Sequence, residues 1–166
     1  MSRLITCIWL ANNDGEEAVN YYIDTFKSAP GDHQAELGDI TKSPKASEEV
    51  SGRPAGSILT VECEIDGTSF MFLNGGPVEQ FKLNGSTSFI VECETQEEID
   101  YFWEKLSAVP EAEQCGWCTD KFGVTWQVTP RILDEMMRDP EKTEAVTAAF
   151  LPMKKLDLEM IRKAGE

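Results

Sequence analysis

The sequence TCIWL at residues 6–10 and the sequence TSFIV at residues 87–91 are short runs rich in strand-forming residues. After each run, apolar residues recur at the three- and four-residue spacing of one helix face, over residues 18–26 and 99–106. The chain therefore contains the order strand then helix twice. This repetition predicts two copies of one structural unit within the 166 residues.

The starts of the two predicted helices repeat at a constant interval. Asp14 with Glu17, and Thr95 with Glu98, each combine a capping residue with a glutamate three positions later. Their separations agree, since 95 − 14 = 81 and 98 − 17 = 81. We therefore expect each helix to begin with its own capping box.

The ends of the two units also match, at a shorter interval. GTSFMF at residues 67–72 resembles GVTWQV at residues 123–128, an offset of 123 − 67 = 56. In the first unit, residues 58–65 have the pattern of a strand that ends at the turn pair Asp66-Gly67. A weaker strand is predicted from Gln34 to Ile40.

These patterns predict an α+β fold with two βαβββ modules and a helical C-terminal tail. The first module covers residues 1–77 and includes a mobile loop at about 41–57, which is rich in Ser, Pro, Gly and charge. The second, shortened module covers residues 78–130 and contains a strand at 113–119. Residues 131–166 form the tail.

Two helix boundaries can be placed in the tail. Asp139-Pro140 is expected to end one helix and to begin another with proline at its first position. Asp157 is expected to cap a last helix at 158–164, which ends at Gly165. Such a tail would pack on the exterior of the modules or on a partner subunit.

The charge of the chain narrows the classes of partner. It has 30 acidic and 15 basic residues, a net charge of −15, which repels nucleic-acid phosphates and anionic membranes. No apolar run approaches the roughly 18 residues of a membrane span, and the N-terminus has no signal-peptide pattern. We therefore expect a cytoplasmic protein, whose five cysteines are free thiols.

The sequence contains one CxxC pair and one glycine-rich run that resemble known site motifs. Cys115 and Cys118 form a CxxC pair, but a zinc knuckle needs a second pair, which the sequence lacks. We expect the pair to lie in a strand, where residues i and i+3 are about 10 Å apart and cannot form a disulfide. The run Asn74–Pro77 lacks the Lys-Ser/Thr of a phosphate loop and is expected to be a turn.

A set of motifs gives the chain a family resemblance. They are Glu16-Glu17-Ala18 with Tyr21-Tyr22 and Phe26, Asp66-Gly67 with Leu73–Pro77, Cys115–Trp117 with Asp120–Gln127, Asp139-Pro140, and Met153–Asp157. With them the chain resembles the PhnB-like family, also labelled "3-demethylubiquinone-9 3-methyltransferase", of the glyoxalase/bleomycin-resistance (vicinal oxygen chelate) superfamily. The resemblance implies two βαβββ modules that form an open barrel around a cleft, in a homodimer. In many members of the superfamily the cleft holds a divalent metal.

Strand alternation locates the positions that would hold such a metal. Side chains of a strand point alternately to its two faces, and the resemblance places the superfamily's four ligand positions at Cys7, Met71, Ser88 and Gln127. A divalent ion prefers imidazole or carboxylate ligands, so a thioether and a hydroxyl are poor substitutes. We therefore predict a cleft without a metal or other cofactor.

Three further residues share the cleft face of their strands. Glu62 and Glu64 are candidates for contact with a cationic ligand or for a general base, and the alternative, which is the more frequent role of such residues, is that they are solvated strand carboxylates. Trp9 is expected to stack on a planar or cationic ligand, or else to pack at a module or subunit seam.

The functional prediction follows from these residues and from the resemblance. We expect a protein that binds a small organic ligand in a metal-free cleft of a homodimer. The alternatives are an enzyme of the same fold, namely a lyase, isomerase, dioxygenase or the methyltransferase of the family label, and a purely structural dimer with a filled cleft. A methyltransferase that uses S-adenosylmethionine would need a parallel sheet with glycine-rich turns, which the repeat does not predict.

Overall fold

The structure is a computed structural model that describes residues 3–166. The described residues form two compact units. Unit 1 contains the residues up to Ser28 together with Asp32–Leu83, and unit 2 contains Ala29–Gly31 and Asn84–Glu166. No helix within residues 3–166 is long and apolar enough to cross a membrane.

Unit 1 contains four strands and two helices. Its strands form one sheet in the order β1-β4-β3-β2, in which β1 is parallel to β4 and the other neighbours are antiparallel. The elements are β1 (Thr6–Leu10), α1 (Gly15–Lys27), β2 (Ala35–Lys42), α2 (Glu48–Ser51), β3 (Ile58–Ile65) and β4 (Thr68–Asn74). The βαβββ order predicted for the first module is therefore present.

The core of unit 1 lies between α1 and one face of the sheet. Along α1, the apolar stripe that includes Ala18, Val19 and Tyr22 is fully buried. Alternate residues of the strands meet this stripe, for example Ile8 in β1 and Phe72 in β4. Burying each large apolar side chain contributes about 1.5–3 kcal/mol. Apolar residues recur every second position in the strands and about every 3.6 positions in the helix. These two periods together determine which face of the sheet α1 covers.

The start of α1 differs from the prediction. Asp14 occupies the N-cap position, but its side chain makes no capping hydrogen bond. Instead, the side-chain oxygen of Asn74, at the end of β4, accepts a hydrogen bond from the backbone N–H of Gly15 at 2.9 Å. The Asn74 amide also donates to the carbonyl of Ile58 at 3.1 Å. The predicted Asp14/Glu17 capping box is therefore wrong, because a residue 59 positions away supplies the cap.

The segment between β2 and β3 contains regular secondary structure that the sequence did not predict. β2 extends to Lys42, two residues past the predicted end, and the expected loop contains α2 and a short 3-10 turn at Lys45–Ser47. Two backbone hydrogen bonds close the base of this segment, from Ser43 to Ser57 at 2.8 Å and from Gly56 to Ser43 at 2.8 Å.

Unit 2 contains three strands and four helices. Its sheet has the order β5-β7-β6, with β5 parallel to β7 and β6 antiparallel to it. The elements are β5 (Phe89–Cys93), α3 (Gln96–Leu106), β6 (Trp117–Thr119), β7 (Thr125–Pro130), α4 (Ile132–Arg138), α5 (Thr143–Phe150) and α6 (Leu158–Ala164). The predicted capping box of α3 is confirmed, since Thr95 and Glu98 bond to each other's backbone N–H groups.

The strand predicted at 113–119 is much shorter in the structure. Cys115 and Gly116 form a two-residue turn with φ values of 38° and 87°, and Gln114 and Trp117 exchange backbone hydrogen bonds across it. The turn needs two left-handed residues, which explains the glycine. Cys115 therefore does not lie in a strand, and the strand-spacing argument for the CxxC pair is wrong.

Asp120 stabilises the second hairpin of unit 2. Its carboxylate accepts hydrogen bonds from the backbone N–H groups of Phe122 at 2.9 Å and Val124 at 3.0 Å, and from the indole of Trp126 at 2.7 Å. Three donors compensate the burial of a side chain that is 2% exposed. This network accounts for the Asp-Lys-Phe-Gly motif between β6 and β7.

The tail of unit 2 has its own small core and is attached to the first hairpin. The core consists of Met136, Val146, Leu156 and Ile161. The backbone N–H groups of the hairpin turn donate to tail carbonyls, from Cys115 to Met153 at 2.6 Å and from Gly116 to Lys154 at 2.8 Å.

The two helix boundaries predicted in the tail have different outcomes. The cap of α6 is confirmed, because the Asp157 carboxylate accepts from the N–H of Met160 at 2.9 Å. The predicted start at Pro140 is wrong, since α5 begins at Thr143 and Asp139-Pro140 belongs to a turn closed by the Thr143 N–H on the Asp139 carbonyl at 2.9 Å.

Candidate functional site

The face of the unit 1 sheet that α1 does not cover carries five of the predicted site residues; we call it the open face. Strand register places Cys7 beside Met71 and Met71 beside Glu62, so that these three side chains form one row across β1, β4 and β3. Trp9 and Glu64 share the same face because they lie two residues from Cys7 and Glu62 in their strands. The structure therefore brings these five residues onto one surface.

Trp9 is held in a fixed position on the open face. Its indole N–H donates to the carbonyl of Gly76 at 2.8 Å. Gly75 shares the face of Leu73, the partner of Trp9 in β4, and a Cβ atom at Gly75 would lie 1.9 Å from the indole ring. The absence of a side chain at Gly75 thus provides the space that the Trp9 ring occupies.

Phe81 extends this aromatic surface and was missed by the sequence analysis. Its ring centroid lies 4.6 Å from that of Trp9, with the two planes tilted by 34°. Phe81 belongs to a short 3-10 turn, Glu79–Phe81, that follows β4, and it is 51% exposed. Because Phe81 lies outside the predicted strands, no periodic pattern assigns it to a face.

Acidic side chains occupy the part of the open face on β3 and β2. Glu62 pairs with the Arg3 guanidinium at 2.8 Å. Glu64 lies directly opposite Glu36 of β2, and both are exposed. Neither Glu36 nor Glu64 forms an ion pair with another residue in the part of the chain that the structure describes. Two carboxylates directly opposite each other are destabilising in a sheet, so a cation at this position would relieve their repulsion.

The other two predicted residues lie on the sheet of unit 2. The side-chain amide of Gln127 donates to the hydroxyl of Ser88 at 2.9 Å. The register, however, places Ile90 opposite Gln127, as Cys7 lies opposite Met71. The position equivalent to Cys7 is therefore Ile90, with 90 − 7 = 83, and the predicted match of Cys7 to Ser88 is wrong.

The donor atoms at these positions do not suit the metal that the fold family implies. Although Cys7 is exposed, partial desolvation raises the pKa of its thiol, which favours the protonated form over a thiolate ligand. Met71 offers a thioether, Gln127 an amide and Ile90 no donor at all. Within residues 3–166, no group of three or more His, Cys, Asp or Glu side chains is arranged so that it could hold a metal ion. This donor set does not fit a hard or borderline divalent ion.

A separate cavity of about 600 Å³ lies at the start of α1. Asp14, Glu16 and Glu17 form one wall, and Arg53 forms part of the other. The Arg53 guanidinium donates to the side-chain oxygen of Asn13. The walls include none of the seven predicted site residues.

Comparison with known proteins places the chain in a family. The family model described as 3-demethylubiquinone-9 3-methyltransferase matches residues 2–129. The chain belongs to the 3-demethylubiquinone-9 3-methyltransferase family. The family match thus covers the described strands up to the next-to-last residue of β7 and stops before the helices of the tail. None of the curated proteins matches this chain.

Solved structures support the same assignment. The PhnB protein from Bacillus cereus superimposes with a TM-score of 0.58 at 25% identity, covering 78% of this chain and 99% of its own. Protein PA1353 from Pseudomonas aeruginosa superimposes with a TM-score of 0.53 at 15% identity, covering 78% of this chain and 98% of its own, and shows the fold alone. The predicted PhnB-like resemblance and the glyoxalase-type α+β fold are confirmed.

Proposed function

We propose that this PhnB-like protein binds a small organic ligand on the open face of unit 1, without a metal, as a subunit of a cytoplasmic homodimer. The observation that carries the proposal is the fixed ring of Trp9 on the same sheet face as three carboxylates, a face that α1 leaves uncovered. A preorganised aromatic ring reduces the entropy lost on binding. Convergent polar groups beside an apolar surface are typical of small-molecule sites.

Charge determines the first property of the ligand. The open face carries Glu36, Glu62 and Glu64, of which Glu62 pairs with the guanidinium of Arg3, and the whole chain has a net charge of −15. This field attracts cations and repels anions. We therefore expect organic cations to bind more tightly than anions of the same size.

The proposal is tested by thermal shift with matched organic cations and anions. A ligand that binds only the native state raises the Tm by mass action. We expect cations to raise the Tm, and we expect Glu62→Gln to reduce that rise while Glu104→Gln, an exposed glutamate of α3, leaves it unchanged. The proposal fails if no small molecule stabilises the protein, or if the purified protein contains stoichiometric divalent metal.

Two further measurements address the remaining parts of the proposal. Light scattering after size exclusion should give the mass of a dimer of this 18.5 kDa chain, and a monomer at micromolar concentration would contradict the homodimer. The family description favours a second candidate function, a methyltransferase. Saturable binding of S-adenosylmethionine would support that alternative and count against the proposal.

A further inference from the structure

We infer that the ligand of the open face is a planar aromatic cation, which stacks on Phe81 and directs its charge toward Glu62, with Glu64 and Glu36 farther along the same face. This inference rests on the proposed function and names the chemical class of the ligand. Neither the family match nor the solved relatives assign a role to Phe81.

The aromatic part of the inference comes from how the ring of Phe81 is supported. Trp9 lies behind it at a centroid distance of 4.6 Å, and Trp9 is fixed by the hydrogen bond to Gly76 and by its contact with the backbone at Gly75. Phe81 is 51% exposed, so one side of a supported ring is available for contact. Aromatic rings stack in offset or tilted geometry, and a cationic ring gains further from the electron-rich face of phenylalanine.

The charged part of the inference comes from Glu36 and Glu64. These two residues face each other across β2 and β3, both are exposed, and the next carboxylate on the same face is that of Glu62. The field of these carboxylates attracts a positive charge that reaches Glu62, the nearest of the three to the aromatic pair, and repels an anion.

The spacing of the strands sets the size of the ligand. Trp9 and Glu62 are separated by two strand spacings across the sheet and by two residues along it. With about 4.8 Å between strands and about 3.3 Å per residue, their backbones lie on the order of 12 Å apart. The side chains of Trp9 and Glu62 span part of this distance. A ligand of two fused rings with a charged nitrogen is long enough to extend from the Trp9–Phe81 pair toward the carboxylate of Glu62.

The experiment compares three probes of similar size by isothermal titration calorimetry. They are N-methylquinolinium, its saturated counterpart N,N-dimethyldecahydroquinolinium, and 2-naphthoate. We expect N-methylquinolinium to bind at least tenfold more tightly than each of the other two, because only this probe has both the planar ring and the positive charge.

Variants assign the preference to the aromatic pair. Phe81→Leu keeps an apolar side chain and should weaken N-methylquinolinium at least fivefold while leaving the saturated cation unchanged. Leu37→Ala removes another exposed apolar side chain of unit 1, 52% exposed, and should change neither. Gly75→Ala should displace the Trp9 ring, shift the tryptophan fluorescence and weaken the aromatic cation as well.

The outcomes separate this inference from the proposed function. If the saturated cation binds as tightly as N-methylquinolinium, or Phe81→Leu has no effect, the inference is wrong while ligand binding on the open face stands. If another compound stabilises the protein and none of these probes binds, the inference is again wrong. If Phe81→Leu converts a dimer into a monomer, Phe81 belongs to an interface between copies and the inference is overturned. If no compound binds at all, both proposals fail.

Discussion

Replacing Asn74 by alanine tests whether a side chain from β4 caps the first helix. The change removes the acceptor of the Gly15 N–H and the donor to the Ile58 carbonyl, at a residue that is 3% exposed. A buried polar group left without a partner costs about 1–3 kcal/mol. Water reaches the half-buried Ile58 more easily than the buried Gly15. We therefore expect the free energy of unfolding to fall by about 2–4 kcal/mol in total.

The loss is measured by urea and thermal unfolding, followed by circular dichroism. For a chain of 150–250 residues, 1 kcal/mol corresponds to about 2–4 °C in Tm, so the Tm should fall by roughly 10 °C. Asn84→Ala is the matched control, because Asn84 is exposed and its side chain accepts a hydrogen bond from the nearby Ser86 N–H at 2.9 Å. It should change the free energy of unfolding by less than about 0.5 kcal/mol.

A second variant separates the two hydrogen bonds of Asn74. Asn74→Asp keeps an acceptor at the start of α1, where a negative charge is favoured by the helix dipole, but it loses the donor to the Ile58 carbonyl. We expect its stability to lie between those of the parent protein and Asn74→Ala. The capping argument is refuted if Asn74→Ala loses less than about 1 kcal/mol, or if hydrogen exchange at Gly15 is as slow in that variant as in the parent protein.

Two further predictions concern unit 2 and the cysteines. Asp120→Ala should lower the free energy of unfolding in urea by about 3 kcal/mol or more, because it leaves two backbone N–H groups and an indole N–H without their acceptor. A decrease below about 1 kcal/mol would contradict the role of this hydrogen-bond network. Burial raises the pKa of the thiols of Cys63, Cys93 and Cys118 to about 12. At pH 8, iodoacetamide should therefore label the exposed Cys7 and leave those three thiols unmodified until urea is added. Mass spectrometry of tryptic peptides identifies the protected residues, and early labelling of any of them would be inconsistent with their burial.

Much of the fold could be predicted because burial leaves a periodic trace in the sequence. Ile8 and Phe72 are buried as alternation requires, while Cys7 and Met71 lie on the open face. The two-residue error in matching Cys7 with Ser88 did not disturb this assignment, since a slip of two residues returns each side chain to the same face.

The source of that error is a difference in loop length that no local pattern records. β1 ends at Leu10 and the N-cap position of its helix is Asp14, whereas β5 ends at Cys93 and the N-cap position of its helix is Thr95. The helices therefore repeat at an interval of 81 and the strands at 83, because 96 − 15 = 81 and 89 − 6 = 83. An alignment anchored on the capping residues consequently displaces the strands.

The remaining misses involve contacts between residues that are distant in the chain. Asn74 caps a helix 59 residues before it, and Phe81 acquires its position from a ring 72 positions earlier, since 81 − 9 = 72. Propensity and spacing describe only neighbours along the chain, so neither contact could be deduced from them. Gly75 lies in a glycine-rich run that is visible in the sequence, but the sequence does not show that this glycine leaves room for the ring of Trp9.

The attachment of the tail to the hairpin turn has a practical consequence for anyone who divides this protein. The family match ends at residue 129, yet the N–H groups of Cys115 and Gly116 find their acceptors at Met153 and Lys154. A fragment cut at the family boundary would lose those acceptors and would expose the side of Gly116 that now contacts Leu156. We therefore expect a fragment that ends at residue 129 to be less stable than the full chain.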